Sequence, residues 1–296
     1  MPLRFANRNV IESLQDEERG INLEAYIVEY LIVGGGGQGG PSRTTATYRP
    51  TGGGGAGGFI TGSFLVKSPT RYYVTVGKGG WGDPSQVTLS GNNGETSSIF
   101  DIVALGGGGG AGTSVNAGPG PGIRDGGSGG GGSYGPSEIL NLPGSGSAPQ
   151  GFNGGVPYSS SLGYGGGGGG GAFGTGSTGD KGESFGLGYG GPGKAWVDGF
   201  IYAKGGDTYG TGSWVGLPTG GYSYPDRRYK GDGSSGLKYQ VDGTNAQSGS
   251  FGIVALRYPS GSLLPNFSPV SGSGGELIVS GGYVYHYFTA SGFYTA

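Results

Sequence analysis

The sequence contains no cysteine and a single histidine, so disulfides and the usual thiolate and imidazole ligands of zinc are essentially missing. Carboxylates are the remaining metal ligands, but they are scattered along the chain and none follows the EF-hand spacing. We therefore predict a protein without metal or cofactor. Because cysteine is absent, the composition carries no information on the redox compartment.

Charge is also scarce. Only 12% of the residues are charged, and 17 basic against 19 acidic side chains leave a net charge of −2. No Lys/Arg block occurs beyond Arg227 and Arg228, so the chain offers phosphate backbones little attraction. Nucleic acid is not an expected partner.

Long apolar segments are missing as well. No run approaches the ~18 apolar residues of a membrane helix, and the first 20 residues carry charge where a signal peptide needs an apolar core. We expect a protein made in the cytoplasm without a signal peptide and without a membrane span.

Glycine, by contrast, is abundant: the chain has 79 Gly and 17 Pro in 296 residues, a composition typical of low-complexity chains. However, low charge does not keep a disordered chain solvated, and 3 Trp, 20 Tyr and 12 Phe require burial or a partner. A sustained G-X-Y repeat is absent, which excludes collagen. We predict a folded protein whose glycine runs belong to the core.

Several segments have the alternation and the Tyr, Ile and Val content of β-strands, and some lead straight into glycines. They are AYIVEYLIVGGGG from residue 25, 58–67, 71–77, SSIFDIVALGGGGG at 97–110, and 250–259. Turn signals at 68–70 and 90–95 predict an antiparallel unit over 25–105. Helix signals are nearly confined to residues 1–20, with Asn9 as N-cap and Gly20 as the end.

The longest glycine run lies in GYGGGGGGGAFG at 163–174. Glycine in the polyproline II conformation makes no internal hydrogen bonds, so its N–H and C=O groups need partners in neighbouring runs. A Cβ would keep packed backbones apart, which makes glycine a requirement of the packing. The predicted fold class is mainly β, with antiparallel strands framing a glycine-rich core of packed polyglycine II helices and little α-helix.

The stretches VEYLIVGGGGQGG, GGGGAGGFITGSF, YYVTVGKGG and GSFGIVALRYP are similar, in the same order, to the glycine-rich domain of phage tail and virion proteins. This resemblance covers about residues 26–259. The polyglycine texture also resembles adhesins at the tips of long tail fibres of some large tailed phages. In those proteins, packed polyglycine helices carry variable loops that bind bacterial surface receptors.

The expected division is an N-terminal docking arm at 1–20, a glycine-rich β/polyglycine domain at 21–259, a linker at 260–275 and a C-terminal strand segment at 276–296. The alternative for 1–20 is a frayed, solvated terminus. In the resembled family, a segment like HYFTASGFYT commonly precedes the VEYLIVGGGG strand, whereas here it ends the chain. We therefore predict that the tail forms one or two strands that pair near residues 25–33, within the chain or in a neighbouring subunit.

Signatures of catalysis are weak. The G-x-S-x-G match at 126–130 is expected by chance in so glycine-rich a chain, no strand precedes it, and His286 falls in a predicted strand. The G-x-G-x-x-G matches lack a strand–loop–helix unit. Glycoside cleavage needs two facing carboxylates, which the sequence does not single out. We predict no enzymatic activity and no catalytic residues.

Binding residues concentrate in GSWVGLPTGGYSYPDRRYKGDG at 212–233. Tyrosine, tryptophan and arginine are enriched at binding hot spots and suit sugar faces, phosphates and carboxylates. The receptor-contact candidates are Trp214, Tyr222, Tyr224, Arg227, Arg228 and Tyr229. The alternative is that these side chains cover the glycine core or pack on a sister subunit.

Together with the resemblance, these features predict a non-enzymatic virion protein of a tailed phage. The first hypothesis is a tail fibre or tail-tip adhesin that binds a bacterial surface glycan or outer-membrane receptor. The second is a structural head fibre, capsid decoration protein or tail connector without a receptor. In either case we expect homo-oligomers and binding of the N-terminal arm to other virion proteins. A cellular wall or matrix protein is disfavoured because the chain has neither a signal peptide nor a repeat.

Overall fold

The computed structural model describes residues 25–41, 50–67, 70–81, 90–112, 124–134, 140–160, 163–178, 188–208, 230–234, 248–260 and 275–296. Within these ranges there is no helix, and the strands pair antiparallel in six sheets, which confirms the mainly β prediction. The 1–20 arm lies outside the described residues. The strands are β1 (Ala25–Val33), β2 (Phe59–Lys67), β3 (Arg71–Val74), β4 (Ser97–Ile99), β5 (Ile102–Ala104), β6 (Ser133–Tyr134), β7 (Leu140–Asn141), β8 (Tyr158–Ser160), β9 (Gly163–Gly165), β10 (Lys194–Ala195), β11 (Ile201–Tyr202), β12 (Ile253–Pro259), β13 (Gly275–Ser280), β14 (Tyr283–Phe288) and β15 (Gly292–Thr295).

The largest sheet has the order β13-β14-β12-β1-β2. Its strands alternate between two apolar clusters, because successive side chains of a strand point to opposite faces. On one face, Val28, Tyr30 and Ile32 pack with the aromatic residues of β3, β15 and the β4–β5 turn. On the other, Leu31 and Val33 pack with Trp196 and Tyr202 of the β10–β11 hairpin. The sheet is therefore buried on both faces where it meets the rest of the chain.

The glycine runs form a second core beside this sheet. Residues 52–58 are buried, and their N–H groups donate hydrogen bonds to three other runs in rotation. Gly52, Gly55 and Gly58 donate to carbonyls of 105–111. Gly53 and Ala56 donate to 167–170, and Gly54 and Gly57 donate to 231–234. The direction of the hydrogen bonds thus repeats every three residues, which is the period of the polyproline II helix.

Run 52–58 also accepts hydrogen bonds from three further runs. N–H groups from 34–40 donate to the carbonyls of residues 58, 55 and 52. N–H groups from 128–131 donate to the carbonyls of residues 56 and 53, and the N–H of Gly206 donates to the carbonyl of residue 54. A single run therefore has six neighbours: it donates hydrogen bonds to three of them and accepts hydrogen bonds from the other three. This confirms that the glycine runs are core; the polyglycine II conformation stays a prediction.

We call the packed runs the glycine body. The term covers 34–40, 50–58, 77–80, 91–95, 105–111, 126–131, 151–155, 165–171, 174–178, 188–193, 203–208, 230–234 and 248–252. A Cβ added to any glycine of 34–37, 52–55, 106–110 or 166–171 would approach backbone of another run within 3.0 Å, which real Cβ atoms essentially never do. Close packing therefore accounts for the glycine content of these runs.

The predicted strands over 25–33, 58–67 and 250–259 are confirmed as β1, β2 and β12. The continuous strand predicted at 97–110 is wrong, because β4 and β5 form a hairpin that turns at Phe100 and Asp101. Both turn residues have positive φ, 55° and 61°. Such a turn usually carries Asn or Gly, so Phe100 and Asp101 do not predict it. Packing compensates, because Phe100 is buried and stacks on Phe64 with 4.3 Å between ring centroids.

The pairing of the neighbouring segments also differs from expectation. β2 and β3 do not pair with each other across 68–70: β2 pairs with β1, and β3 pairs with β15 at the C-terminus. The tail forms β13, β14 and β15, but β14 pairs with β12 and not with β1. The reason is that β2 and β12 already occupy the two edges of β1. The tail therefore joins the same sheet one strand further out.

The C-terminal strand is held by a hydrogen bond between the hydroxyls of Tyr294 and Tyr26, 2.6 Å apart. We expect Tyr294→Phe to lower the free energy of unfolding by about 1 kcal/mol, because the Tyr26 hydroxyl loses its partner in a half-buried site. Tyr73→Phe is the matched control, since that ring on the adjacent strand is 60% exposed and should tolerate the change. Denaturant titration measures both; equal effects would contradict the role of this contact.

Candidate functional site

The glycine body has two ends. At the sheet end the runs continue into β1, β2 and β12. Residues 34–40 leave β1 and extend roughly 20 Å, at about 3.1 Å per residue. Their far end is Gly40, whose N–H donates to Gly52, and Gly52 in turn donates to Ala111. We call this second end the loop end.

Segments that are far apart in the sequence return to the loop end repeatedly. Ser90 forms a β-bridge with Ala111, and the N–H of Thr208 donates to the carbonyl of Gly188 at 2.7 Å. A Cβ on Gly166 would contact both Thr51 and Thr208, so these residues also lie together. The residues that flank 42–49, 82–89, 179–187 and the start of 209–229 are therefore gathered at one end of the body.

Polar side chains complete the hydrogen bonding of the outer turns of the runs. The N–H of Gly39 donates to Oγ of Ser234 at 2.6 Å, and the N–H of Gly188 donates to Oγ1 of Thr208 at 2.6 Å. At these two positions a hydroxyl takes the place of a backbone carbonyl as the acceptor. Paired backbone groups provide a firm base for the segments that leave the runs.

The six receptor-contact candidates, Trp214, Tyr222, Tyr224, Arg227, Arg228 and Tyr229, lie outside the described residues. The structure places the two residues that flank their segment. Thr208 lies at the loop end, whereas the carbonyl of Lys230 accepts the N–H of Ala203, five residues closer to the sheet. The segment that carries the candidates thus begins at the loop end.

One further aromatic residue near the loop end was missed from the sequence. Trp81 immediately precedes 82–89, its side chain is 66% exposed, and its carbonyl accepts Nδ2 of Asn92 at 2.8 Å. An indole held exposed on an anchored backbone is suited to binding a ligand face. The signal was present in GKGGWGDPS, where a lone tryptophan stands between glycines and a polar segment.

The serine of the G-x-S-x-G match is a core residue. Ser128 is 0% exposed, its N–H donates to the carbonyl of Ala56, and its carbonyl accepts the N–H of Gly108. His286 lies in β14, where it stacks on Phe288 with 4.1 Å between ring centroids. The match therefore lies within a glycine run, not on a strand–turn–helix elbow.

Among the described residues, the glycine body contains one buried carboxyl, that of Asp232. Asp232 is 1% exposed, its Oδ1 accepts the N–H of Lys204 at 2.8 Å, and its Oδ2 has no hydrogen-bond partner within the described part of the chain. Burial raises the pKa of this carboxyl to about 7, although the hydrogen bond and the charge of Lys204 act in the opposite direction. This buried carboxyl therefore bears on stability.

The described ranges contain no group of three or more His, Cys, Asp or Glu side chains arranged to hold a metal ion. Nor do they contain a helix long and apolar enough to cross a membrane.

A family model described as a glycine-rich domain matches residues 19–259, which is most of the chain. No curated protein matches the sequence.

Proposed function

The chain belongs to the glycine-rich domain family, and from that premise we propose that it is a non-enzymatic virion protein of a tailed phage that acts as a tail fibre or tail-tip adhesin. It binds a bacterial surface glycan or outer-membrane receptor through segments at the loop end. The N-terminal arm, 1–20, attaches it to other virion proteins. The phage assignment rests on the resemblance of the glycine-flanked strands to phage tail proteins.

The observation that carries the receptor-binding proposal is the gathering of run ends. Hydrogen bonds among Gly40, Gly52 and Ala111, and between Thr208 and Gly188, bring distant parts of the chain to one end of a packed body. Binding residues are commonly found on segments held by a rigid scaffold. Each run of this scaffold is hydrogen-bonded to several neighbours, so closely packed glycines of the runs tolerate substitution poorly.

The chemistry of the segments supports the same proposal. Residues 209–229 contain Trp, Tyr and Arg, and Trp81 stands exposed near the same end. Aromatic rings stack on sugar faces, while the guanidinium groups of Arg227 and Arg228 pair with phosphates or carboxylates. A bacterial surface glycan presents all of these groups.

We expect the purified protein to bind intact host cells, and the double substitution Trp214→Ala with Arg227→Ala to reduce binding at least about tenfold, because hot-spot truncations cost 1.4 kcal/mol or more. Fluorescently labelled protein and flow cytometry measure this. Trp81→Ala tests the residue that the structure adds, with an expected loss of about threefold or more if it touches the receptor.

Phe173→Ala is the matched control. Phe173 is an aromatic residue with 67% exposure, but it follows Ala172, which packs in the cluster of Leu31 and Val33 on the main sheet. Its replacement should leave cell binding unchanged. Equal losses for the control and the loop-end variants would contradict a receptor site at the loop end.

Position on the particle separates the adhesin from the structural alternative. Immunogold electron microscopy with an antibody against residues 212–233 should label the fibre or tail tip of the source phage. Label on the head would contradict the adhesin and favour a head fibre or decoration protein, in which the same segments make subunit contacts.

A further inference from the structure

The outer strand of the main sheet presents an open edge. β13 pairs with β14 on one side, and none of the described strands pairs with its other side. The strand, GELIVS, has no Lys, Pro or bulge of the kind that usually protects an edge. Val279 is 70% exposed, the most of any large apolar residue described. An edge of this kind is a template for pairing with another strand.

The hairpin between β13 and β14 determines which backbone groups face outward. Ser280 and Tyr283 flank a two-residue turn at Gly281 and Gly282, both with positive φ as in type I′ turns. In such a hairpin the flanking residues bond to each other, and the bonding side then alternates along the strand. The N–H and C=O groups of Leu277 and Val279 therefore point away from β14.

We infer that β13 pairs antiparallel with β13 of a second copy of this chain, about a two-fold axis at Ile278. In this register Leu277 of each copy lies opposite Val279 of the other, and each such pair exchanges two hydrogen bonds. Ile278 lies opposite Ile278 of the second copy. Glu276 lies opposite Ser280, so that the carboxylates of the two copies are not placed against each other.

The register is self-complementary in both backbone and side chains. Leu277 and Val279 lie on one face of β13, since they pair with His286 and Val284 of β14. Dimerisation would bring four such side chains together and cover the exposed part of Val279. Because the contact uses the same patch on both copies, it closes at two chains. Pairing of β13 with β2 of another copy would instead leave free edges and continue into fibres.

Oxidative crosslinking tests the two-fold axis directly. The chain has no cysteine, so Ile278→Cys introduces a single thiol. A non-hydrogen-bonded antiparallel pair has Cα atoms about 4.5 Å apart, within the range of a disulfide. We expect the variant to form a covalent dimer under mild oxidation at least about tenfold faster than Val197→Cys, a matched control at a 53% exposed valine on the β10–β11 hairpin. Equal crosslinking rates would overturn the inference.

Sedimentation equilibrium provides the second test and needs no crosslink. The unmodified protein should show a monomer–dimer equilibrium, and Val279→Lys should raise its dissociation constant at least about tenfold by placing a charge on the edge. Because Val279 is exposed, the lysine should leave the fold intact, which circular dichroism checks. A monomeric unmodified protein, or an assembly that Val279→Lys leaves intact, would overturn the inference. Neither result bears on receptor binding at the loop end.

Discussion

Replacing Gly168 by alanine is expected to lower the free energy of unfolding by about 3 kcal/mol and the melting temperature by roughly 5 °C or more. Gly168 lies within the run of seven glycines, and its Cβ would meet the carbonyl group of Tyr189 and the backbone nitrogen of Gly190, all within 3.0 Å. These are backbone atoms, which cannot turn aside as a flexible side chain can. Relief requires that two runs move apart and weaken the hydrogen bond from Gly168 to Ser177.

Gly174→Ala is the matched control for this experiment, since it adds the same methyl group a few residues along the chain. Among the described residues, its Cβ would meet only the ring of Pro192, at 3.1 and 3.2 Å, and a side chain can yield by a few tenths of an ångström. We expect a change within about 1 kcal/mol, partly offset because alanine restricts the unfolded chain. Thermal and denaturant unfolding measure both variants. Similar stabilities for the two would contradict close packing at Gly168.

The second large effect concerns pH. The pKa of Asp232 is raised by burial from 3.8 to about 7, so the folded protein holds this proton more tightly than the unfolded chain. The stability contribution of the group is therefore fully present at low pH and is lost as the pH rises through about 4 to 7. At about 1.36 kcal/mol per pKa unit, the loss amounts to roughly 4 kcal/mol by pH 8.

Asp232→Asn should abolish this loss, because an amide does not ionise while its oxygen can still accept the N–H of Lys204. The measurable quantity is the difference in unfolding free energy between the variant and the unmodified protein, followed from pH 4 to pH 8. We expect it to shift by roughly 3 kcal/mol in favour of the variant. Burial of His286 lowers its pKa to about 4 and gives stability an opposite pH dependence, but this cancels in the difference.

Asp207→Asn is the control for loss of a negative charge in the glycine body. Asp207 also accepts a backbone N–H, from Gly190 at 2.6 Å, but its side chain is only half-buried. If Asp207→Asn shows a pH-dependent difference as large as that of Asp232→Asn, the effect belongs to the net charge of the protein and not to the buried carboxyl.

Much of the fold could be predicted from local patterns. Alternation identified β1, β2 and β12, and the glycine runs next to them indicated a packed core. The hairpin at Phe100 and Asp101 could not be predicted, because neither residue favours positive φ and the turn depends on packing against Phe64. Trp81 shows the corresponding limit for the site: its isolation was visible in the sequence, but its exposure was not.

The sequence by itself determined which segments extend as strands, which segments must pack without side chains, and which chemical groups are missing. Only the tertiary structure decided which runs and strands lie next to each other. Consecutive glycines look alike to any local rule, so only the whole packing selects Ala111, Gly167 and Ser234 as neighbours of one run. The tail likewise lies beside β12 because the edges of β1 were taken by strands distant in the sequence. Partner choice depends on contacts between residues far apart in the chain, and these leave no periodic signal in the sequence.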